Sequence, residues 1–290
     1  MKKLIILIPV FNDWESLEKL IIEINENIKE FQKIHIECLV VNDASTIKQP
    51  ILIKPSVIKS IQILNMRENR GHARCNAFGI RYVSEKKDFD YLILMDGDGE
   101  DRPIELKKLI QKIIEDPNKS VVAKRIKRSE GPFFRFLYFM HKLITLVFTG
   151  KNINFGNYSC LTKKDVAILT SDANLWSSFS GTLKKRIKNL DEIESIRGMR
   201  YFGPSQMSLF KLIVHSFSII AVFKYQVLTR SLIMILILEF LNPHLGLITN
   251  IFQILILVFC AKIFVIALRA NKQQFLNSEK NLKNVNEIIR

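Results

Sequence analysis

What this chain has little of narrows it first. Its four cysteines, Cys38, Cys75, Cys160 and Cys260, are scattered without a C-x-x-C pair. They read as small buried hydrophobes in a reducing compartment, not as a disulfide framework. Five dispersed histidines offer no zinc ligand set. There is no internal repeat and no basic helix interleaved with aromatics, which speaks against a nucleic-acid binder. "PVFNDWES" follows the first apolar run where a nucleotidyltransferase would need a Gly-rich phosphate loop. That run, in "MKKLIILIPVFND", is only about eight residues long and lacks a small-x-small cleavage site, so it reads as a strand and not a signal peptide. Acidic residues are short as well, 28 against 43 Lys and Arg, for a formal charge of +15. Such a balance suits phosphorylated small molecules and an anionic membrane face.

What is there begins with alternation. Leu4–Pro9, Ile36–Asn42, Ile61–Asn65, Tyr91–Met95 and Ser120–Ala123 read as short buried strands. Between them, "WESLEKLIIEINENIKEFQK", "GHARCNAFGIRYVSE" and "PIELKKLIQKIIED" repeat apolar residues at helical spacing. Strands alternating with helices predict an α/β fold with a mostly parallel sheet covered on both faces. Ligands in such sheets sit at the carboxyl ends of the strands. The polar clusters "PVFND", "VNDAS", "NMRENRG" and "DGDGEDRP" fall there.

Later segments change character. "GPFFRFLYFMHKLITLVF" suits an interfacial or a core helix equally, and "NINFGNYSCLTKKDV" reads as a turn and strand. Residues 231–268 are almost continuously apolar, broken at Asn242-Pro243-His244. Leu245 to Leu268 is long enough to span a bilayer, at about 20 residues per crossing. The reading is a two-helix transmembrane hairpin turning at Asn242–His244, with Glu239 and Lys262 the awkward residues in lipid. Basic residues on both flanks (Lys211, Lys224 and Arg230; Arg269, Lys272, Lys280 and Lys283) predict that both ends are cytoplasmic. The expected domains are therefore 1–205 catalytic, 206–227 interfacial, 228–268 hairpin, and 269–290 a polar tail forming a surface helix.

"DGDGEDRP" carries the chemistry. Asp96, Asp98, Glu100 and Asp101 lie within six positions at a strand end. A hard divalent ion, Mg²⁺ or Mn²⁺, offsets such repulsion and shares its shell with phosphate oxygens. Gly97 and Gly99 leave room for a ligand at the backbone. Asp101 reads equally as a cap for the helix beginning near Pro103.

With these residues in view, the chain resembles family 2 glycosyltransferases of the GT-A fold, in the polyprenyl-phosphate (dolichyl-phosphate mannose synthase-like) branch. "IPVFND", "VVNDAS", "NRGHARCNAFGI", "DGDGEDRP" and "RYFGPSQMSLFKL" carry the resemblance, in the family's order. It implies a nucleotide-sugar donor bound by Pro9, Phe11, Asp13, Asp43, Asn69, Gly71 and Asp96. It implies a metal, Mg²⁺ or Mn²⁺, on Asp96 and Asp98, with Glu100, where the family often has Gln, as a third metal residue. Asp98, Asp101 and Arg125 form the expected catalytic set. Arg125, Arg128, Arg135, Arg200 and Ser205 are expected around the acceptor phosphate, with Gln206 standing where a lysine is usual. Residue by residue, plainer readings stay open: Asp13 as a helix N-cap, Asp43 as an Asx turn, Asn69 and Gly71 as a turn.

The expected enzyme is membrane-anchored, in the cytoplasmic (inner) membrane with its catalytic domain cytoplasmic, and transfers sugar to polyprenyl phosphate. A homo-oligomer is left open. A sugar-hydroxyl acceptor is the alternative, with Asp191 and Glu192 as base candidates. A catalytically silent membrane scaffold is the alternative of another class.

Overall fold

The computed structural model describes residues 1–52, 55–127, 132–204 and 208–288. In chain order it runs β1 (Lys2–Val10), α1 (Trp14–Asn27), β2 (Ile34–Asn42), β3 (Ile61–Met66), α2 (His72–Lys86), β4 (Tyr91–Leu94) and α3 (Leu106–Glu115). Then follow β5 (Val121–Lys127), α4 (Pro132–Thr149), β6 (Phe155–Thr162), α5 (Lys163–Thr170), α6 (Phe179–Arg186) and β7 (Asp191–Ile196). The last third holds α7 (Leu209–Ala221), α8 (Lys224–Leu245), α9 (Leu247–Ala267), α10 (Lys272–Leu276) and β8 (Leu282–Ile288).

One sheet of eight strands runs β7-β5-β6-β4-β1-β2-β3-β8. β1 pairs parallel with β2 and β4, and β2 with β3, as the strand–helix alternation predicts. β6 runs antiparallel between β4 and β5, and β7 pairs parallel with β5. β1 is apolar from Leu4 to Val10 because both its faces are covered. Leu4, Ile6 and Ile8 pack with Leu17, Leu20 and Ile24 of α1 and Leu109 and Ile113 of α3. Ile5 and Leu7 pack with Phe78, Ile80 and Val83 of α2 on the other face. Each such side chain contributes about 1.5–3 kcal/mol on burial. All four cysteines are buried thiols, as the composition implies.

The tail differs from expectation. Instead of a surface helix, residues 269–288 form the short α10 and then β8, antiparallel to β3 from Ile61↔Ile288 to Met66↔Leu282. The catalytic sheet is thus completed by the end of the chain, and the polar tail is not a separate unit. The hairpin turn also shifts, to Gly246 (φ 55°), and Pro243 lies inside the last turn of α8. α8 and α9 are long and apolar enough to cross a membrane, and Phe240 is 82% exposed. Glu239 accepts a hydrogen bond from Gln253 across the hairpin (3.1 Å). Arg230 donates to the Val147 carbonyl at the end of α4 (3.2 Å), a favourable place for a cation. Because α7 leads out of the α/β domain and β8 returns to it, both ends of the hairpin stand on the same side.

Candidate active site

The carboxylate loop leaves the sheet where β4 ends. Met95 still donates to the Leu7 carbonyl of β1 (3.1 Å), so Asp96 starts from a fixed frame. Asp101 is buried and folds back to accept the Asp96 backbone N–H (3.0 Å). It does not cap the following 3₁₀ turn, whose N-cap is Arg102 without a side-chain bond. Asp98 accepts the Glu100 N–H (3.0 Å), which curls the loop tightly. The space at the two glycines is filled by the protein itself. A Cβ on Gly97 would lie 2.9 Å from the Pro9 carbonyl, and one on Gly99 (φ 86°) 2.6 Å from the Tyr201 ring.

Each carboxylate meets a cation. His72 Nε2 lies 3.2 Å from Asp96, which also accepts from Asn157 (3.2 Å). Arg125 faces Asp101 at 3.6 Å, and Arg197 pairs with Glu100. Arg200 bridges two carboxylates, donating Nη1 to Asp98 (2.8 Å) and Nη2 to Asp13 (2.5 Å). Arg197 and Arg200 arrive on a segment that β7 delivers beside the loop; Gly198 N donates to Glu100 O and Tyr201 N to Asp98 O. Tyr201 anchors that segment by donating to Glu23 of α1 (2.6 Å).

The balance is uneven. Burial favours the neutral form of Asp96, yet His72 and Arg125 hold it well below the usual carboxylate range. Burial and the neighbouring charges of Asp96 and Glu100 push Asp98 up to about 6. Burial and the Asp96 charge push Asp101 up to about 7. The loop therefore carries more negative charge than its cations relieve, and a divalent cation held by Asp96 and Asp98 would relieve it. Among the described residues no three His, Cys, Asp or Glu side chains converge as a complete metal cage. Two protein carboxylates with ligand and water oxygens is the usual Mg²⁺ arrangement, so the residues fit such an ion.

The other expected donor residues gather at the same edge. Asp43, buried, accepts from the Arg70 (3.0 Å) and Gly71 (2.8 Å) backbone amides and so fixes the turn before α2. Asp13 occupies the N-cap position of α1 without making a capping bond, its carboxylate being held by Arg200. Phe11 and Asn69 are exposed, and Pro9 is buried under Gly97.

The acceptor set is split. Arg125 is at the loop, and Arg200 sits on Asp13 and Asp98, not on open surface. Arg135 is exposed on α4. Arg128, Ser205 and Gln206 lie outside the described residues. Asp191 and Glu192 begin β7, at the end opposite the segment reaching the loop, and pair with Lys112 and Lys119, and with Lys124. At about 3.3 Å per residue, they stand roughly 13–16 Å along the strand from Ile196. They are corrected from base candidates to structural surface pairs. Sequence reasoning missed His72, Asn157, Arg197 and Tyr201, although His72 and Tyr201 lie within two of the stretches that carry the resemblance.

Residues 5–200 match the model for glycosyl transferase family 2. The chain belongs to that family. This glycosyltransferase is 26% identical over 221 residues to undecaprenyl-phosphate 4-deoxy-4-formamido-L-arabinose transferase of Serratia proteamaculans, covering 73% of this chain and 65% of that one. It is 24% identical over 165 residues to an uncharacterized protein of Methanocaldococcus jannaschii, covering 54% and 69%. Among solved structures, glucosyl-3-phosphoglycerate synthase from Mycobacterium tuberculosis, in complex with Mn²⁺, UDP-glucose and phosphoglyceric acid, superposes with a TM-score of 0.54. That alignment covers 78% of this chain and 80% of that one at 12% identity, and it establishes the shared GT-A fold.

Proposed function

We propose that this glycosyltransferase moves a sugar from a nucleotide-sugar donor to a polyprenyl phosphate at a membrane surface, with a divalent metal on Asp96 and Asp98. The observation that carries the reading is the pair of long apolar helices, α8 and α9, joined through α7 to the domain that bears the carboxylate loop. His215 of α7 lies within the fields of His72, Asp96 and Arg125, and desolvation with the His72 and His141 charges pushes it down to about 4. An acceptor held in a bilayer by its lipid tail could thus present its phosphate where α7 and the loop meet. The named activity of the Serratia relative supports this acceptor class.

The chemistry follows from charge. Bound metal would neutralise charge developing on the departing diphosphate. Asp43 and the Asn69–Gly71 turn shape the donor pocket, and Asp101 holds the Asp96 backbone in place. Arg125 adds positive charge beside the loop. A phosphate acceptor is already ionised near neutral pH, so no strong general base is required. The displacement of Asp191 and Glu192 from the loop favours this acceptor over a hydroxyl. α8 and α9 would anchor the catalytic domain, with both hairpin ends on its side of the membrane.

The test is nucleoside-diphosphate release by detergent-solubilised protein. It is offered a panel of nucleotide sugars with Mg²⁺ or Mn²⁺, with and without polyprenyl phosphate, beside Asp98→Asn. Release that requires both the lipid phosphate and Asp98 is expected. Release indifferent to the lipid would overturn the acceptor assignment.

A further inference from the structure

The chain that leaves the hairpin returns to the carboxyl end of β3. Past α9, Gln274 of α10 lines an open cleft together with Asn69 and Arg70. Arg81 of α2 holds this return in place, donating to the carbonyls of Phe275 (2.7 Å) and Leu276 and to Ser278 Oγ (3.3 Å). β8 then adds to β3, in a ladder from Ile61↔Ile288 to Met66↔Leu282. The last contacts lie beyond the two strands. The Asn281 carbonyl accepts the Arg67 N–H (2.7 Å). The Asn281 side chain takes both backbone polar groups of the next residue: Oδ1 accepts the Glu68 N–H (3.1 Å), and Nδ2 donates to the Glu68 carbonyl (2.9 Å). Asn281 is 3% exposed.

Asparagine suits this position because its amide carries an acceptor and donors side by side on a short stem, so it pairs with a peptide as a strand would. Asp43 grips the same turn further on, through the Arg70 (3.0 Å) and Gly71 (2.8 Å) amides. Exposed Asn69 therefore stands between two buried clamps, one just past β2 and the other beyond the hairpin. A backbone N–H and C=O stripped of their partner turn toward water, so the turn would shift without Asn281.

We propose that Asn281 is a positioning residue for the nucleotide part of the donor, fixing residues 67–71 so that the Asn69–Gly71 turn keeps its binding shape. The proposal rests on the reading of that turn as part of the donor pocket. It makes the tail after the hairpin a part of the catalytic unit. The same tail is then the segment that ties the end of α9 to nucleotide binding.

The experiment titrates full-length protein in detergent with UDP, GDP, CDP and dTDP in the presence of Mn²⁺, by calorimetry. The diphosphate that wild type holds is carried through the variants. Asn281→Ala is expected to weaken it about fivefold and to speed hydrogen exchange in residues 67–71. Asn281→Asp keeps an oxygen for the Glu68 N–H but loses the donor to the Glu68 carbonyl, so its affinity should fall between. It also carries the test if the alanine variant does not fold. Ile113→Val, a truncation in the buried face of α3, should lower the melting temperature yet leave affinity and that exchange unchanged. If affinity instead follows melting temperature across all variants, the role is merely structural and the proposal fails. Asn69→Ala separates the two readings. Affinity lost in Asn69→Ala but kept in Asn281→Ala overturns the clamp and leaves the donor pocket standing. Affinity kept in both, or no diphosphate held by wild type, overturns the donor-pocket reading and this proposal with it.

Discussion

Neutralising Asp98 should make the metal-free protein more stable, not less. Its side chain is 19% exposed, and its pKa stands at about 6 against the ordinary 3.8. At about 1.36 kcal/mol per pH unit, that difference means ionising Asp98 costs the fold about 3 kcal/mol. The sign follows from linkage. A pKa raised in the folded state gives stability that is fully present below pH 3.8 and is lost as pH rises through about 6. Asp98→Asn keeps the neutral shape at every pH, so it should match wild type near pH 4 and exceed it at pH 8. For a chain of this size a kilocalorie moves the midpoint by roughly 2–4 °C, which predicts a gain of about 6–12 °C at pH 8. The assay is a thermal melt in detergent with EDTA at both pH values, then a Mn²⁺ titration. Ligand at about a hundred times its Kd adds about 2.7 kcal/mol, which wild type should show and Asp98→Asn should lose. An Asn variant no more stable than wild type at pH 8 would refute the electrostatic reasoning. Equal Mn²⁺ stabilisation of both proteins would refute the metal assignment.

Gly99→Ala should destabilise the protein by about 1–2 kcal/mol from its positive φ alone, and more because its Cβ meets the Tyr201 ring at 2.6 Å. A melt checks the stability, and faster hydrogen exchange at residues 197–201 checks that the segment is displaced. Asp191→Asn should leave turnover within about twofold, since its partners are surface lysines; a hundredfold loss would restore the hydroxyl-acceptor reading. Arg200→Gln should bind Mn²⁺ about tenfold more tightly at pH 8.5 without donor, because a guanidinium about 5 Å from a divalent ion repels it by about 7 kcal/mol at an effective dielectric of 20, most of which solvent screens. Electron paramagnetic resonance of free Mn²⁺ reads this directly, and weaker binding would show that Arg200 supports the ion instead of competing with it.

The parallel half of the sheet is legible because strands buried on both faces must be continuously apolar, and Leu4–Val10 and Tyr91–Leu94 are. β7 and β8 escape the same logic. "DEIESI" and "LKNVNEI" are polar edge strands with mostly exposed side chains, so nothing in their composition outweighs a helical or loop reading. β8 exists because β3 offers it unpaired backbone groups 220 or so residues earlier in the chain, and pairing across that distance leaves no local trace. The hairpin was readable from length and hydropathy. Its turn was misplaced because Asn242-Pro243-His244 is the stronger local breaker, whereas helix α8 tolerates Pro243 near its end, where the chain turns at Gly246.

The candidate site divides the same way. Its acids are contiguous in sequence and announce themselves as a repulsive cluster, but their partners come from residues 72, 125, 197 and 200. Residues 125, 197 and 200 converge because β5 pairs with β7 and the chain beyond β7 then crosses the loop, while residue 72 arrives at the start of α2. Counting arginines could suggest that anions bind somewhere near, and it assigned Arg200 to an acceptor phosphate. It could not show that Asp13 and Asp98, 85 residues apart, share one guanidinium. That shared contact links the loop after β1 to the carboxylate loop after β4. On the proposed reading, a cation held by Asp96 and Asp98 would change the hold on Asp13 as well, so metal and nucleotide occupancy would be coupled through a single side chain.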